Sequence, residues 1–341
     1  MIIRSKAPLR IGLAGGGTDV SPYSDLYGGA ILNATINLYA YATLEPTNDQ
    51  RIEFVIEGSD KRLNLASAEQ LDVQEDFALF IGVYNRIVKQ FKLGPLSFRL
   101  SSYIEAPQGS GLGTSSTIVV SLIGVFVEWL NLPLGKYDIA HLAYDIERVD
   151  LAMSGGKQDQ YAATFGGINF LEFFGNDKVI VNPLQLKTKI VYELEHNLLL
   201  YYTATQRHSA NIIREQVKNV NEKNTKSVDA MHNLKEQALQ MKDALLRGEL
   251  NKIGEILHFG WQNKKQMAAS ITNTQIDAIY NSAIENGASG GKISGAGGGG
   301  FMFFYCPGSS KHKVAKAIQS MGGTIQPFKF TQQGLVTWTS Q

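Results

Sequence analysis

Pro107-Gln108-Gly109-Ser110-Gly111-Leu112-Gly113-Thr114-Ser115-Ser116 runs without a break into a stretch, 115–130, that is apolar almost all round. Such a stretch is predicted to be a buried helix. The glycines before it let backbone N–H groups converge, and the helix start adds unpaired donors and a positive dipole end. An anion fits there, and a triphosphate fits well. No lysine follows Gly113, so this is not the GxxxxGK[ST] phosphate loop. Nor is it a dinucleotide GxGxxG followed about twenty residues later by an acid on a strand. Ser115 can offer its hydroxyl to Mg²⁺, as the phosphate-loop Ser/Thr does in other nucleotide enzymes. The competing reading is a glycine-rich helix cap with nothing bound.

Glycine gathers elsewhere too, at Gly15 to Gly17, Gly155-Gly156, Gly166-Gly167 and Gly290 to Gly300. Each cluster abuts apolar sequence, which is unlike a flexible serine-rich linker. Between the clusters, alternation predicts strands over 2–6 and 8–14 around Pro8, over 30–45, 51–56 and 96–104, and over 167–174. Helical spacing marks 77–91 and 137–151. The second half opens on an apolar strand, 197–203. A polar region over 209–257 follows, whose charges read as the solvated face of long helices. Further helices are expected over 276–286 and 311–321, with strands over 301–305 and 336–339. Strands followed by helices in this mixture predict an α+β fold. A boundary is expected within 175–197, dividing 1–185 from 186–341.

At 341 residues the chain is long enough for two domains. Lys plus Arg (32) nearly cancels Asp plus Glu (31), so no general field draws nucleic acid or a membrane surface. The lone Cys306 allows no intrachain disulfide and reads as a small buried strand residue. No secretory leader and no apolar run of membrane-spanning length is present, so a cytoplasmic protein is expected. Nothing in the sequence sets an oligomeric state.

Three further segments carry chemistry. In Ala7-Pro8-Leu9-Arg10, the arginine stands on a mostly apolar strand, and Gly15-Gly16-Gly17-Thr18-Asp19 follows. Arg10 can point into a site and Asp19 can accept hydrogen bonds from substrate. A surface arginine and an Asx-turn are the alternative. In Gly155-Gly156-Lys157-Gln158-Asp159-Gln160, Asp159 can accept a hydroxyl proton, while Glu147, one helix upstream, can reach a metal ion. Without those neighbours Asp159 would read as a solvated loop acid. Carboxylate, metal and phosphate loop make a minimal set for phosphoryl transfer, which depends on positioning and electrostatics. The fourth segment, Gly290 to Gly300, enters a strand with more glycines than a hairpin turn needs, as a loop wrapped closely round bound groups would.

Taken in order, these segments resemble the GHMP kinase superfamily: A-P-x-[RK] with a glycine turn and T-D, then P-x-x-x-G-L-G-S-S with Thr114 replacing the first serine, then a C-terminal glycine motif. The resemblance spans residue 7 to about residue 305. It implies an N-terminal domain like the second domain of ribosomal protein S5 and a ferredoxin-like C-terminal domain. It implies ATP as donor and Mg²⁺ as cofactor. It assigns Asp159 as the catalytic aspartate, Arg10 as the residue orienting the acceptor, and Ser115 and Glu147 as Mg²⁺ ligands. Pro107, Gly109, Ser110, Gly111, Leu112, Gly113, Thr114, Ser115 and Ser116 would bind ATP. Gly17, Thr18, Asp19, Lys157, Gly295, Ala296, Gly297 and Gly298 would face the acceptor. The turn lacks the Glu-His of galactokinases, which argues against galactose. With Tyr-Gly-Gly-Ala at 27–30 and Gly-Lys-Gln-Asp-Gln at 156–160, the pattern is similar to the branch that phosphorylates the anomeric hydroxyl of a heptose 7-phosphate. L-fucose kinases are the nearest rival, and a non-catalytic sugar-phosphate or nucleotide sensor is the reading from another class. Arg207 and His208, with Ser209, are candidates for holding the remote phosphate of such a sugar phosphate, because arginine suits phosphate recognition. Their alternative is an ion pair to a helix carboxylate and a helix cap.

Overall fold

The computed structural model describes residues 1–107, 109–205 and 209–340, with nothing assigned to the Ser209 side chain. Its elements run β1 (Ile2–Ala14), α1 (Tyr23–Tyr27), β2 (Gly29–Pro46), β3 (Arg51–Ile56), β4 (Arg62–Ala66), α2 (Ala78–Phe91), β5 (Phe98–Ile104), α3 (Thr114–Leu130), α4 (Lys136–Asp145), α5 (Gln158–Phe165), β6 (Ile168–Phe173), β7 (Val179–Pro183), α6 (Thr188–Asn197) and β8 (Leu198–Tyr202). Then come α7 (Ser209–Asn221), α8 (Thr225–Arg247), α9 (Ile253–Met267), α10 (Thr274–Glu285), β9 (Gly290–Ile293), β10 (Phe301–Tyr305), α11 (Lys311–Gln319), β11 (Thr324–Ile325) and β12 (Val336–Ser340). Helices and sheets are mixed as the sequence predicts. Two details differ. The first strand is continuous through Pro8, because its register against β2 slips between Pro8 and Arg10, a bulge where a missing ladder donor is tolerated. The helix expected over 137–151 ends at Asp145 and widens into a π turn, Ile146–Asp150.

The strands form two sheets. In the first, β2 pairs β1 along one edge, and its two ends pair β5 and β6 along the other, with β3 parallel to β5. The chain's end returns to this sheet: β12 lies antiparallel to β1. Leu335 and Thr337 cover α3, and Thr337 Oγ1 donates to Glu128 at 2.7 Å. The block 186–341 is therefore not self-contained, since its last strand closes the first sheet. The second sheet has the order β11-β8-β10-β9. Counted within its own half this is 4-1-3-2, the ferredoxin-like order the resemblance implies.

α3 is buried nearly throughout, as its apolar circumference requires, between the first sheet and α2 and α4. Leu9, Ile11 and Leu13 of β1 meet Leu200 of β8, Phe303 of β10 and Leu257 of α9 in one apolar cluster. The two halves thus share a core, which fixes the cleft between them. No helix among the described residues is long and apolar enough to cross a membrane.

Candidate active site

The cleft, about 390 Å³ in volume, opens where the start of α3, β1, α5 and the turn between β9 and β10 converge. Gly109, Gly111 and Gly113 all have left-handed backbones (φ of 71°, 85° and 79°), which is why glycine recurs at every second position. A side chain on Gly111 would strike the Ser294 carbonyl, so the two glycine-rich segments lie backbone to backbone. Arg10 N donates to Leu112 O at 3.1 Å, pinning the loop to β1. No side chain caps α3. Its first amide groups are left for an outside acceptor.

At this helix start stands the pair Arg10 and Asp159. Arg10, 3% exposed, points Nε and Nη2 at Asp159 Oδ1, at 2.7 and 2.6 Å, and Nη1 at Gly111 O, at 2.6 Å. Asp159 in turn lies against Gly113. One guanidinium therefore ties the aspartate to the glycine loop. Asp19 comes in beside them, nearly fully buried, accepting from Gln158 N at 3.1 Å. Its carboxylate occupies the space where Gly156 has no side chain. Burial, and then the like charge of Asp159, push Asp19 above the usual carboxylate range.

Glu147 sits in the π turn, a device often found at functional sites. It is 1% exposed, receives Gln160 Nε2, and has Arg148 Nη1 at 3.6 Å. Burial raises it above the ordinary range. The same Gln160 amide reaches Ser116 Oγ at 3.1 Å, and Ser115 and Ser116 both line the cleft. Gln160 Oε1 and Ser110 Oγ are buried without partners among the described residues. One carboxylate, hydroxyls and an amide oxygen, all hard oxygen donors, suit a Mg²⁺ that keeps water and phosphate oxygens in its shell.

Several expected residues lie off the cleft. Lys157 is buried, but its Nζ is held by Asp177 at 2.9 Å and Asp25 at 3.1 Å, and burial's pull on its charge is outweighed by those two carboxylates. It is a structural ion pair, not an acceptor-facing lysine. Thr18 is fully buried and clamps the turn, its hydroxyl bonded to Gly15 O and Ala30 O. Leu112 packs into the shared core, Ser110 is buried behind the loop and Pro107 is exposed beyond it. Gly295 and Ala296 line the cleft, but Gly297 packs on Ile271 and Gly298 N donates to Ile271 O at 2.5 Å. Arg207 and His208 fall outside the described residues.

Other residues enter unforeseen. Lys264 of α9 and Lys292 of β9 are both buried under the turn of residues 15–17, donating to Gly16 O (3.2 Å) and Gly12 O (3.0 Å). Burial, then Lys264 and Arg10, depress Lys292 far below the ordinary lysine range. Lys264 shares a helix face with the buried Trp261 and Met267, a spacing of three that could have flagged it. A second, smaller cavity of about 260 Å³, with Leu79, Phe80, Ile104 and Ile118 in its wall, shares Ser115 and Met153 with the cleft.

Comparison with known proteins gives a consistent picture. Residues 78–167 match the GHMP kinases N terminal domain and residues 241–324 the GHMP kinases C terminal domain. The chain is 48% identical over 336 residues to the D-glycero-alpha-D-manno-heptose 7-phosphate kinase of Campylobacter jejuni, covering 98% of each chain. It superposes on a D-glycero-D-manno-heptose 1-phosphate kinase structure from Bacteroides thetaiotaomicron with a TM-score of 0.85 and 46% identity, covering 99% of both. The L-fucokinase/L-fucose-1-P guanylyltransferase of Bacteroides fragilis is 26% identical over 338 residues, 89% of this chain but 34% of that one.

Proposed function

The chain belongs to the GHMP kinases and is a sugar kinase, and from that premise we propose that it phosphorylates a heptose that already carries one phosphate, giving the 1,7-bisphosphate. ATP is the phosphoryl donor of this family. The observation that carries the reading is the Arg10–Asp159 pair held against Gly113 at the uncapped start of α3. It sets a proton acceptor beside a polyanion site, which is what an alcohol attacking a γ-phosphoryl group requires.

In this reading the loop of Gly109, Gly111 and Gly113 with Thr114, Ser115 and Ser116 holds the triphosphate through backbone and hydroxyl donors. Glu147 and Ser115 would hold Mg²⁺, which would supply neutralisation of the charge developing on the phosphates. The smaller cavity behind Ser115, with Leu79, Phe80, Ile104 and Ile118 in its wall, receives the base of the nucleotide. Asp159 takes the hydroxyl proton as the sugar oxygen bonds to phosphorus and the bond to the ADP oxygen breaks. Arg10 fixes Asp159 and offsets charge on the moving phosphoryl group. Asp19, Gly17, Gly295 and Ala296 contact the sugar. The division near residue 185, with β12 returning to the first sheet, belongs to the same proposal.

Two related proteins are named for heptose phosphates that differ in where the phosphate sits, O7 in one and O1 in the other. Both would yield one bisphosphate, so the names differ over which hydroxyl reacts. We take the 7-phosphate as acceptor, with the anomeric hydroxyl reacting. ADP release with Mg·ATP and D-glycero-D-manno-heptose 7-phosphate, the 1-phosphate, L-fucose, galactose, mannose, mevalonate and homoserine tests this. Selective turnover of the 7-phosphate supports it. Preference for the 1-phosphate reverses the orientation, turnover of L-fucose replaces the heptose reading, and silence throughout favours the sensor.

A further inference from the structure

A sugar that arrives already phosphorylated brings a group of about −1.5 to −2 charge at neutral pH, and the protein must match it. The acidic part of the cleft cannot, since Asp19 and Asp159 repel a phosphate. Lys157 is occupied by Asp25 and Asp177. The wall formed by α7 and α9 differs. Arg214, exposed on α7, lines the cleft and has no ion-pair partner among the described residues. Its neighbour Glu215 is turned to Ala269 N and Ser270 Oγ. Gln216 is 2% exposed, lines the same cleft beside Gly17, and its Nε2 has no partner among the described residues. Lys264, 1% exposed, brings its ammonium to the cleft from the opposite helix.

A buried amide donor left without an acceptor is destabilising, so a bound acceptor would recover that loss. An arginine fork, an amide and an ammonium, with the adjacent Glu215 carboxylate turned to Ala269 and Ser270, match a phosphate monoester. We propose that Arg214, Gln216 and Lys264 form the subsite for the phosphate that the acceptor sugar already carries. This inference rests on the sugar-phosphate kinase reading above. It divides the cleft: hydroxyls of the sugar donate to Asp19, and its phosphate lies against α7 and α9, which sets the orientation of the reacting hydroxyl.

The test compares D-glycero-D-manno-heptose 7-phosphate with the unphosphorylated heptose in wild type and in Arg214→Ala, an exposed position where truncation leaves the core untouched. The ratio of kcat/KM for the two sugars is expected to fall about ten- to a hundredfold, the worth of one charge-assisted hydrogen bond pair. Arg214→Lys should restore part of it, since charge survives but the fork does not. Inorganic phosphate should compete with the heptose phosphate and not with ATP, and its calorimetric affinity should weaken in Arg214→Ala. A ratio unchanged within about twofold, or phosphate competing with ATP, overturns the subsite. If wild type turns over neither sugar, the functional reading fails by itself. The subsite is then judged on phosphate binding alone, and equal affinity in wild type and variant rejects it.

Discussion

Replacing Asp159 with asparagine separates chemistry from architecture at the centre of the cleft. Oδ1 of Asp159 takes both Nε and Nη2 of Arg10. The amide keeps the shape and an acceptor oxygen but loses the charge. Charge-assisted hydrogen bonds are roughly twice as strong as neutral ones, so converting a pair worth about 1.5–3 kcal/mol removes about 0.8–1.5 kcal/mol. Arg10 is not left without acceptors, because it keeps Gly111 O at 2.6 Å and the asparagine oxygen can take the place of Asp159 Oδ1. At about 2–4 °C per kcal/mol, the melting temperature should drop by roughly 2–6 °C. Turnover should fall much further, by about 10²–10⁴ in kcat, since the amide cannot accept the hydroxyl proton. Calorimetric titration with Mg·ATP should change by less than about threefold, because loss of a transition-state interaction leaves ground-state binding intact. Arg10→Lys keeps the charge and loses the fork, so it should fall between wild type and Asp159→Asn in kcat. The refuting result is plain: a melting temperature lowered as expected with kcat within about tenfold of wild type would make Asp159 a structural partner of Arg10.

Glu147→Gln should raise the melting temperature of the ligand-free protein at pH 7. Burial holds the folded Glu147 above its unfolded value, so the folded state binds more protons between the two values and stability falls as pH rises through that window. The new amide removes that loss, Gln160 can flip to present its unpartnered Oε1, and the Mg²⁺ concentration needed for half-maximal ADP release should rise at least about tenfold; a destabilised variant with unaltered Mg²⁺ dependence would refute the role. Gly156→Ala should drive a methyl into the Asp19 carboxylate, costing about 1–3 kcal/mol and raising KM for the acceptor far more than for ATP, as steady-state kinetics would report. Lys157→Met should lower stability without moving the acceptor KM beyond about twofold. The lysine's folded value is raised, so its contribution is present below the free-lysine value and lost as pH rises through the folded one, which alkaline melting curves of wild type and variant would show converging. An acceptor KM raised tenfold would return Lys157 to the cleft.

What the sequence discloses here follows the range of the interactions. The buried helix over 114–130 and most of the strand alternation are local patterns, and they fold as those patterns predict. β4 escaped because its exposed, alternating residues at the sheet edge carry little apolar signal. Arg10 and Asp159 were named from two separate segments, and the fold joins them across 149 positions. The same local logic misassigned Lys157, because a lysine beside Gly155-Gly156 reads as cleft-facing until its carboxylates are known. One of them, Asp25, is 132 residues away. It also passed over Lys264, which meets Gly16 O across 248 residues. A motif places a residue at the mouth of a site, but whether its charge enters depends on which counter-charges the rest of the chain brings behind it. Here two carboxylates withdraw Lys157 from the cleft, while Lys264, which donates to Gly16 O, lines it. The lysine that the glycine motif advertised is held in an ion pair off the cleft, and the one hidden in a helix face lines it.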